Sequence, residues 1–314
     1  MKVIPYAPFE ISDLRFEISK GACVAIGVFD GVHLGHQQVI RQTVSDAHHR
    51  GAAAVAVTFD RHPAAIVAPQ RVPPMIQTLA HRLETIAALG IEVACVIRFD
   101  ESFSRISGAE FVRQLLRDFG RLHSICVGSA FTFGHQRSGN VALLQRMGAE
   151  HGFNVHGLAA VSLDGETISS TRIREAIRAG HLDLAGQMLG RDFTLAGPVV
   201  RGDQLGRQIG FPTANLDVAG LALPPQGVYA VEVSVDERTQ PGVLNLGHRP
   251  TVQASTPLLR VEVHLLDFTG DLYDRELVVT FVQKLRDEQK FPSLDALRAQ
   301  IERDIAAARR VLAT

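Results

Sequence analysis

Three groups of residues have the types and spacing to do phosphate chemistry. In GVFDGVHLGHQQVI, a turn with Gly27, Gly31 and Gly35 lies between a strand and a helix, and His33 and His36 stand three apart at the start of that helix. Glycine lets the backbone approach a ligand with no β-carbon in the way. The spacing at a helix start aims both imidazoles at one anion that the helix N-terminus already attracts. Two imidazole donors beside free backbone N–H groups suit charge developing on an α-phosphate. Taken alone, the same spacing also describes a glycine turn with two solvated histidines. Downstream, ISSTRIREAI offers the hydroxyls of Ser169, Ser170 and Thr171, followed by Arg172 and Arg174. Hydroxyls, helix N–H groups and a guanidinium make a phosphate clamp, although Ser-Ser-Thr before a helix is by itself an ordinary N-cap.

The third group is GRQIGFPTANL (206–216), where Gly206 and Gly210, with Gly202 just upstream, are able to form a tight loop over a nucleotide. Thr213 and Asn215, two apart in an extended segment, point to one side. Both are hard oxygen ligands of the kind that hold Mg²⁺ together with substrate phosphates, but PT-x-N is also an ordinary turn. Glu262 lies inside LRVEVHLLDF, where alternation puts Glu262, His264 and Leu266 on one face and Val261, Val263 and Leu265 on the other. A strand glutamate on a polar face is normally solvated, whereas a kinase acting on an alcohol needs a base at the hydroxyl. The chain has only four lysines, Lys2, Lys20, Lys284 and Lys290, and none follows a glycine-rich loop. A Walker-type P-loop is thereby excluded, so any ATP chemistry relies on backbone, Arg, His and metal.

These residues sit on elements that the hydrophobic pattern outlines. Up to about residue 185, short apolar runs alternate with helical patterns. The runs are 23–29, 53–59, 93–99, 123–128 and 155–161; the helical patterns are 36–50, 79–90, 109–120 and 141–153. That alternation predicts an α/β fold with a parallel, Rossmann-like sheet covered on both faces, its ligands beyond the carboxyl ends of the strands. From about residue 190 the runs 227–236, 242–247, 259–268 and 276–285 alternate apolar and polar residues, with Gly and Pro between them. These predict an antiparallel sheet or small barrel, followed by a terminal helix over 293–312 capped by Ser293. The change of pattern at 185–192 places the boundary between domains 1–186 and 187–314.

Composition sets the outer limits. The 314 residues carry 32 basic and 33 acidic side chains, which argues against a nucleic-acid or membrane-surface binder. No apolar run approaches the roughly 20 residues of a membrane span, and the N-terminal stretch has acids and no apolar core of a signal peptide. Cys23, Cys95 and Cys126 are scattered singly in apolar runs, which reads as buried free thiols and a reducing, cytoplasmic compartment. The sequence is compatible with a homo-oligomer and does not set its order.

HLGH after the GVFDG turn, with ISSTRIR downstream, resembles the nucleotidyltransferases that carry HxGH and SSTxIR signatures. Together with VTFDRHP (57–63) and FTFG (131–134), residues 1–185 resemble the FMN adenylyltransferase domain of bacterial bifunctional riboflavin kinase/FAD synthetases. GRxxGFPTAN, GVYAV, NLGxRPTV, VEVHLLDF and LRDEQKF, over about 190–300, resemble riboflavin kinase. The resemblance implies phosphorylation of riboflavin to FMN and adenylylation of FMN to FAD, both with ATP and Mg²⁺. It implies that Gly27, Phe29, Gly31, His33, His36, Ser170 and Arg174 hold ATP in the first half, with His33 and His36 stabilising the transferring AMP. In the second half it implies Gly206, Gly210, Thr213 and Asn215 for ATP, Thr213 and Asn215 for the metal, and Glu262 as the base. Phe131 and Arg286 fall in its flavin-contacting segments.

Four positions depart from the family pattern. Ala130 stands where the family usually has an Asn or Asp that helps hold the flavin, and Arg61 where Pro is usual. Arg201 replaces a common histidine, and Asp274 a common glycine. Ala130 keeps open a second reading, an active riboflavin kinase whose first half has lost or altered FMN adenylylation. A third reading is a non-catalytic nucleotide- or flavin-sensing module. The His33/His36 pair, Asn215 and Glu262 speak against it, since a pure binder has no use for a base.

Overall fold

The computed structural model describes residues 1–6, 18, 20–202, 205–236, 238–249 and 258–313. Pro250, Thr251 and Val252 of the NLGxRPTV pattern lie outside them. The chain divides into two compact units, Met1–Arg172 and Ile173–Thr314.

The first unit is built on a six-stranded parallel sheet. Its strands are β1 (Lys2–Tyr6), β2 (Ala22–Ile26), β3 (Ala53–Phe59), β4 (Val93–Ile97), β5 (Leu122–Gly128) and β6 (Asn154–Leu158), in the order β1-β4-β3-β2-β5-β6. The strands β2 and β3 are buried throughout, because helices cover both faces and no position along them meets water. One core, with Val24, Ile26, Val55, Val57, Ile125 and Val127, lies on the side of helices α3 (Gly108–Phe119) and α4 (Val141–His151). The other, with Cys23, Ala25, Ala54, Ala56 and Cys126, packs against α1 (Leu34–Arg50) and meets Ile86 of α2 (Leu79–Ala88). The strand order turns back between β2 and β5, so the loop after β2 opens at a topological switch point.

That loop is the GVFDGVHLGH turn. The strand expected over 23–29 ends at Ile26, and α1 begins at Leu34 with His33 as its N-cap. His33 is extended, and its Nδ1 accepts from the His36 backbone N–H at 3.4 Å. At the far end Gly51, left-handed at φ 59°, closes the helix. A last helix, α5 (Ser170–Ala179), starts on the Ser-Ser-Thr segment and crosses the boundary between the units.

The second unit contains α6 (Leu182–Leu189) and a closed antiparallel barrel. Its strands are β7 (Thr194–Val200), β8 (Ala214–Leu216), β9 (Gly227–Val235), β10 (Arg238–Arg249), β11 (Leu258–Leu265) and β12 (Glu276–Arg286). The order is β7-β8-β11-β10-β9-β12, with β7 pairing β12 to close it. Alternation sends Val231, Val233, Val261, Val263, Leu277 and Val279 inside, as the sequence pattern requires. Leu266, expected on the Glu262 face, lies past the end of β11, where the chain turns into Asp267 at φ 57°. Helix α7 (Leu294–Leu312), capped by Ser293, packs against β9, β10 and β12.

Candidate functional site

The turn after β2 holds its histidines in a strained frame. Phe29 and Val32 have φ 53° and 40°, and for a β-branched valine that conformation is a true outlier. A β-carbon at Gly27 would fall 2.9 Å from the Phe29 ring, so only glycine permits this close turn. Asp30, buried, accepts from the backbone N–H groups of Ile76 at 2.8 Å and Gln77 at 3.3 Å. The side-chain amide of Gln37 donates to the Val32 carbonyl at 3.0 Å. Ser170 Oγ donates to the Asp30 carbonyl at 3.0 Å, which ties the Ser-Ser-Thr segment to the histidine loop. Arg174 is one turn farther along α5 and only 6% exposed.

His33 and His36 stack, ring centroids 3.6 Å apart and planes 21° from parallel. The edge of Phe29 meets His36 at 5.4 Å. His36 is held well below the ordinary imidazole pKa, first by loss of solvent, then by His33 and by the Arg82 guanidinium. Neutral at neutral pH, it offers an N–H donor without a charge, and its Nδ1 is enclosed with no partner among the described residues. Arg82, itself 1% exposed, donates through Nη1 to the Val28 carbonyl at 3.0 Å and through Nη2 to that of Phe59. It thereby joins the carboxyl ends of β2 and β3 beside the histidine pair.

On the α3 side of the same strand ends lies an apolar cleft of about 570 Å³. Phe59, Phe99, Phe103, Phe131 and Phe133 line it, with Phe131 and Phe133 stacked at 5.3 Å. A flat aromatic ligand fits such walls. Ala130 is exposed and precedes Phe131 in the chain. Arg61 is also exposed and pairs with Asp60 at 2.9 Å.

The second site is set by strand register. Asn215 of β8 pairs with Glu262 of β11, and Glu262 pairs with Asn245 of β10. The three form one row across the barrel and line a cleft of about 300 Å³ with Gly206, Thr213, His264 and Arg286. Close approach fixes this loop as well: a β-carbon at Gly202 would lie 2.4 Å from Asn215 Nδ2, and one at Gly206 2.3 Å from the Phe211 carbonyl. His264 Nδ1 sits 2.8 Å from the Pro212 carbonyl and anchors the PTAN segment to β11. Arg286 binds Asp304 of α7, with Nε 3.0 Å from Oδ1 and Nη2 2.8 Å from Oδ2. A second cleft of about 450 Å³, lined by Arg207, Asp271 and Tyr273, shares Thr213 with the first. Gly210 stands at φ 91°, outside the lining of both clefts. Arg201 stacks over Tyr273 at 5.5 Å.

Residues 15–172 match the profile of the FAD synthetase family, and residues 189–312 match that of riboflavin kinase. A protein of Pseudomonas fluorescens named bifunctional riboflavin kinase/FMN adenylyltransferase is 42% identical over 294 residues, 94% of each chain. Its namesake in Escherichia coli strain K12 is 40% identical over 300 residues, 95% of each. The chain belongs to this family. A solved structure from Streptococcus pneumoniae, described as a macrolide-efflux protein, matches 98% of this chain and 99% of its own with a TM-score of 0.80 at 28% identity. Among the described residues of this family member, no helix is long and apolar enough to cross a membrane.

Sequence reasoning missed three residues of this family member's sites. Arg82 falls within the expected helix 79–90, where no local pattern singles it out; its burial comes from the way α2 meets the strand ends. Asp30 lay within the GVFDG motif, but its partners are more than forty residues away in sequence. Asn245 lies in the NLG motif, and the pairing of β10 with β11 is what sets it beside Glu262.

Proposed function

We propose that this chain phosphorylates riboflavin to FMN in residues 187–314 and adenylylates FMN to FAD in residues 1–186, with ATP as donor in both. The observation that carries this reading is that each half holds its own complete phosphate-handling set. His33 and His36 stack beside a loop that Ser170 of α5 hydrogen-bonds, and Thr213, Asn215 and Glu262 line one cleft.

In the kinase half, the flavin ring takes the more apolar cleft beside Val228, Phe291 and Ile305, and the nucleotide takes the cleft of Arg207 and Asp271. Thr213 borders both, so the γ-phosphate and the ribityl 5′-hydroxyl meet there. Glu262 accepts the hydroxyl proton as the oxygen attacks the γ-phosphorus and the bond to the bridging oxygen breaks, with ADP leaving. Thr213 and Asn215 supply hard oxygens on one side of an extended segment, a donor set that suits Mg²⁺ carried in with ATP. Held there, the cation would supply neutralisation of the phosphate charge.

In the adenylylation half, a phosphate oxygen of FMN attacks the α-phosphorus of ATP and diphosphate leaves. The nucleophile is already anionic near pH 7, so no base is needed. His33 and His36 donate N–H groups to the charge growing on the α-phosphate, and Ser170 and Arg174 hold the phosphates. Phe131 and its aromatic neighbours take the isoalloxazine ring. Three buried free thiols support a cytoplasmic setting. Incubation of the purified chain with riboflavin, ATP and Mg²⁺ is expected to yield FMN and then FAD. FMN alone would leave only the kinase, and the absence of both products would overturn the proposal.

A further inference from the structure

Away from both nucleotide sites, three side chains of different elements meet on the α1 side of the parallel sheet. They are Asp46 from α1, Cys126 from β5 and His156 from the edge strand β6. One ligand atom of each lies within 4.8 Å of the others. Asp46 Oδ2 is 3.0 Å from His156 Nε2 and 3.9 Å from Cys126 Sγ. Tetrahedral zinc, with bonds of about 2.0–2.3 Å to N, O and S, needs ligand atoms roughly 3.3–3.8 Å apart, so small movements close the set.

We propose that Asp46, Cys126 and His156 form a binding site for a borderline, thiolate-accepting divalent cation of the zinc type. Register supports it: Cys126 pairs directly with His156, so both sit at one level of the sheet with Asp46 above them. The carboxylate is already oriented, since its Oδ1 accepts from Gln42 Nε2 at 2.8 Å and its Oδ2 faces the other two ligands. Partners of this kind fix first ligands in metal sites. Access exists as well, because His156 is 35% exposed and Asp46 14%, while Cys126 closes the floor. The other groups close to Cys126 are Thr43, Ser124 and Cys23, with Arg50 near Cys23. Without a cation, burial holds the Cys126 thiol up at about 12. Binding forms an S–metal bond and sends the thiol proton to solvent, with no change of oxidation state. The cation would tie α1, the helix capped by His33 with His36 in its first turn, to two strands of its sheet.

The test uses the full-length chain and Co²⁺ as a spectroscopic probe, with Zn²⁺ as competitor. Expected are one Co²⁺ per chain, a thiolate-to-cobalt charge-transfer band that Zn²⁺ abolishes, and one proton released per cation. Cys126→Ser should remove the band, while Cys23→Ser and Cys95→Ser keep it. His156→Gln and Asp46→Asn, at partly exposed positions, should each weaken binding by at least about 10-fold, the low end for losing even an outer-shell partner. These two variants decide the matter if Cys126→Ser does not fold. A wild-type chain with no thiolate band, or a band that survives both His156→Gln and Asp46→Asn at unchanged affinity, would overturn the proposal.

Discussion

His36 shows how one residue's surroundings set both its chemistry and its cost. Enclosure, the stacked His33 and the Arg82 guanidinium all disfavour its charged form. Its folded pKa therefore lies below the unfolded value of about 6.5, and between the two the unfolded chain binds more protons. This contribution to stability is fully present above the unfolded pKa and is lost as pH falls through it toward the folded one. Melting of wild type and His36→Gln between about pH 7 and pH 5 checks this: wild type should lose more stability, and parallel curves would remove His36 from the balance. At neutral pH, alanine at His33 or His36 is expected to cut FAD synthesis by about 10²-fold or more while FMN synthesis stays intact. Normal FAD output from the double variant would take the pair out of the mechanism. In the other half, Glu262→Gln keeps the side-chain shape and removes its basicity. Turnover of riboflavin to FMN should fall by roughly 10²- to 10⁴-fold, with FMN to FAD spared. A drop of less than about tenfold, short of that range, would return Glu262 to the status of a solvated strand residue.

At the scale of elements, the contact between α7 and β12 is the one on which the cleft proposed for the flavin leans. Arg286 lines that cleft and is held by three hydrogen bonds to Asp304, which is 5% exposed and also accepts from Gln300 at 2.8 Å. Asp304→Ala leaves the guanidinium without its carboxylate and should cost about 1–3 kcal/mol of stability. It should also raise the KM for riboflavin more than it lowers kcat, with partial rescue by Asp304→Glu; steady-state kinetics and denaturant melts read both. Much of this architecture was legible beforehand, because β3 runs over the expected 53–59 and the alternation in β11 put Glu262 opposite the barrel core. Other elements were not. The strand β7 is absent from the expected runs, and TLAGPVV carries Gly197 and Pro198; its glycine is needed because a β-carbon there would fall 2.3 Å from the Asp217 carbonyl. The strand β1 is short, contains Pro5 and exists through its pairing with β4, a contact no local pattern reveals. Arg82 and Asn245 share that character, because burial and register belong to the folded sheet.

At the scale of the whole molecule, the question is where an independent kinase begins. The change of sequence pattern points to residue 187, yet that cut falls inside α6, whose Met188 and Leu189 are buried. The compact second unit starts earlier, at Ile173. Within that unit Gly180 lies against the barrel segment at Pro225, close enough that a β-carbon would stand 3.2 Å from the proline ring. Residues 173–186 therefore contribute packing to the barrel unit but nothing to its cleft, whose lining runs from Gly206 to Ile305. Two fragments separate the two contributions. Both 173–314 and 187–314 are expected to fold and to convert riboflavin to FMN with kcat close to that of the full chain, while 173–314 melts at the higher temperature. Circular dichroism, thermal melts and product analysis on the pair decide it. Equal melting temperatures would show that 173–186 add no stability to the barrel. A folded 173–314 that makes no FMN, beside a full chain that does, would show that the kinase site needs residues from the first unit, because every side chain named for it here would still be present.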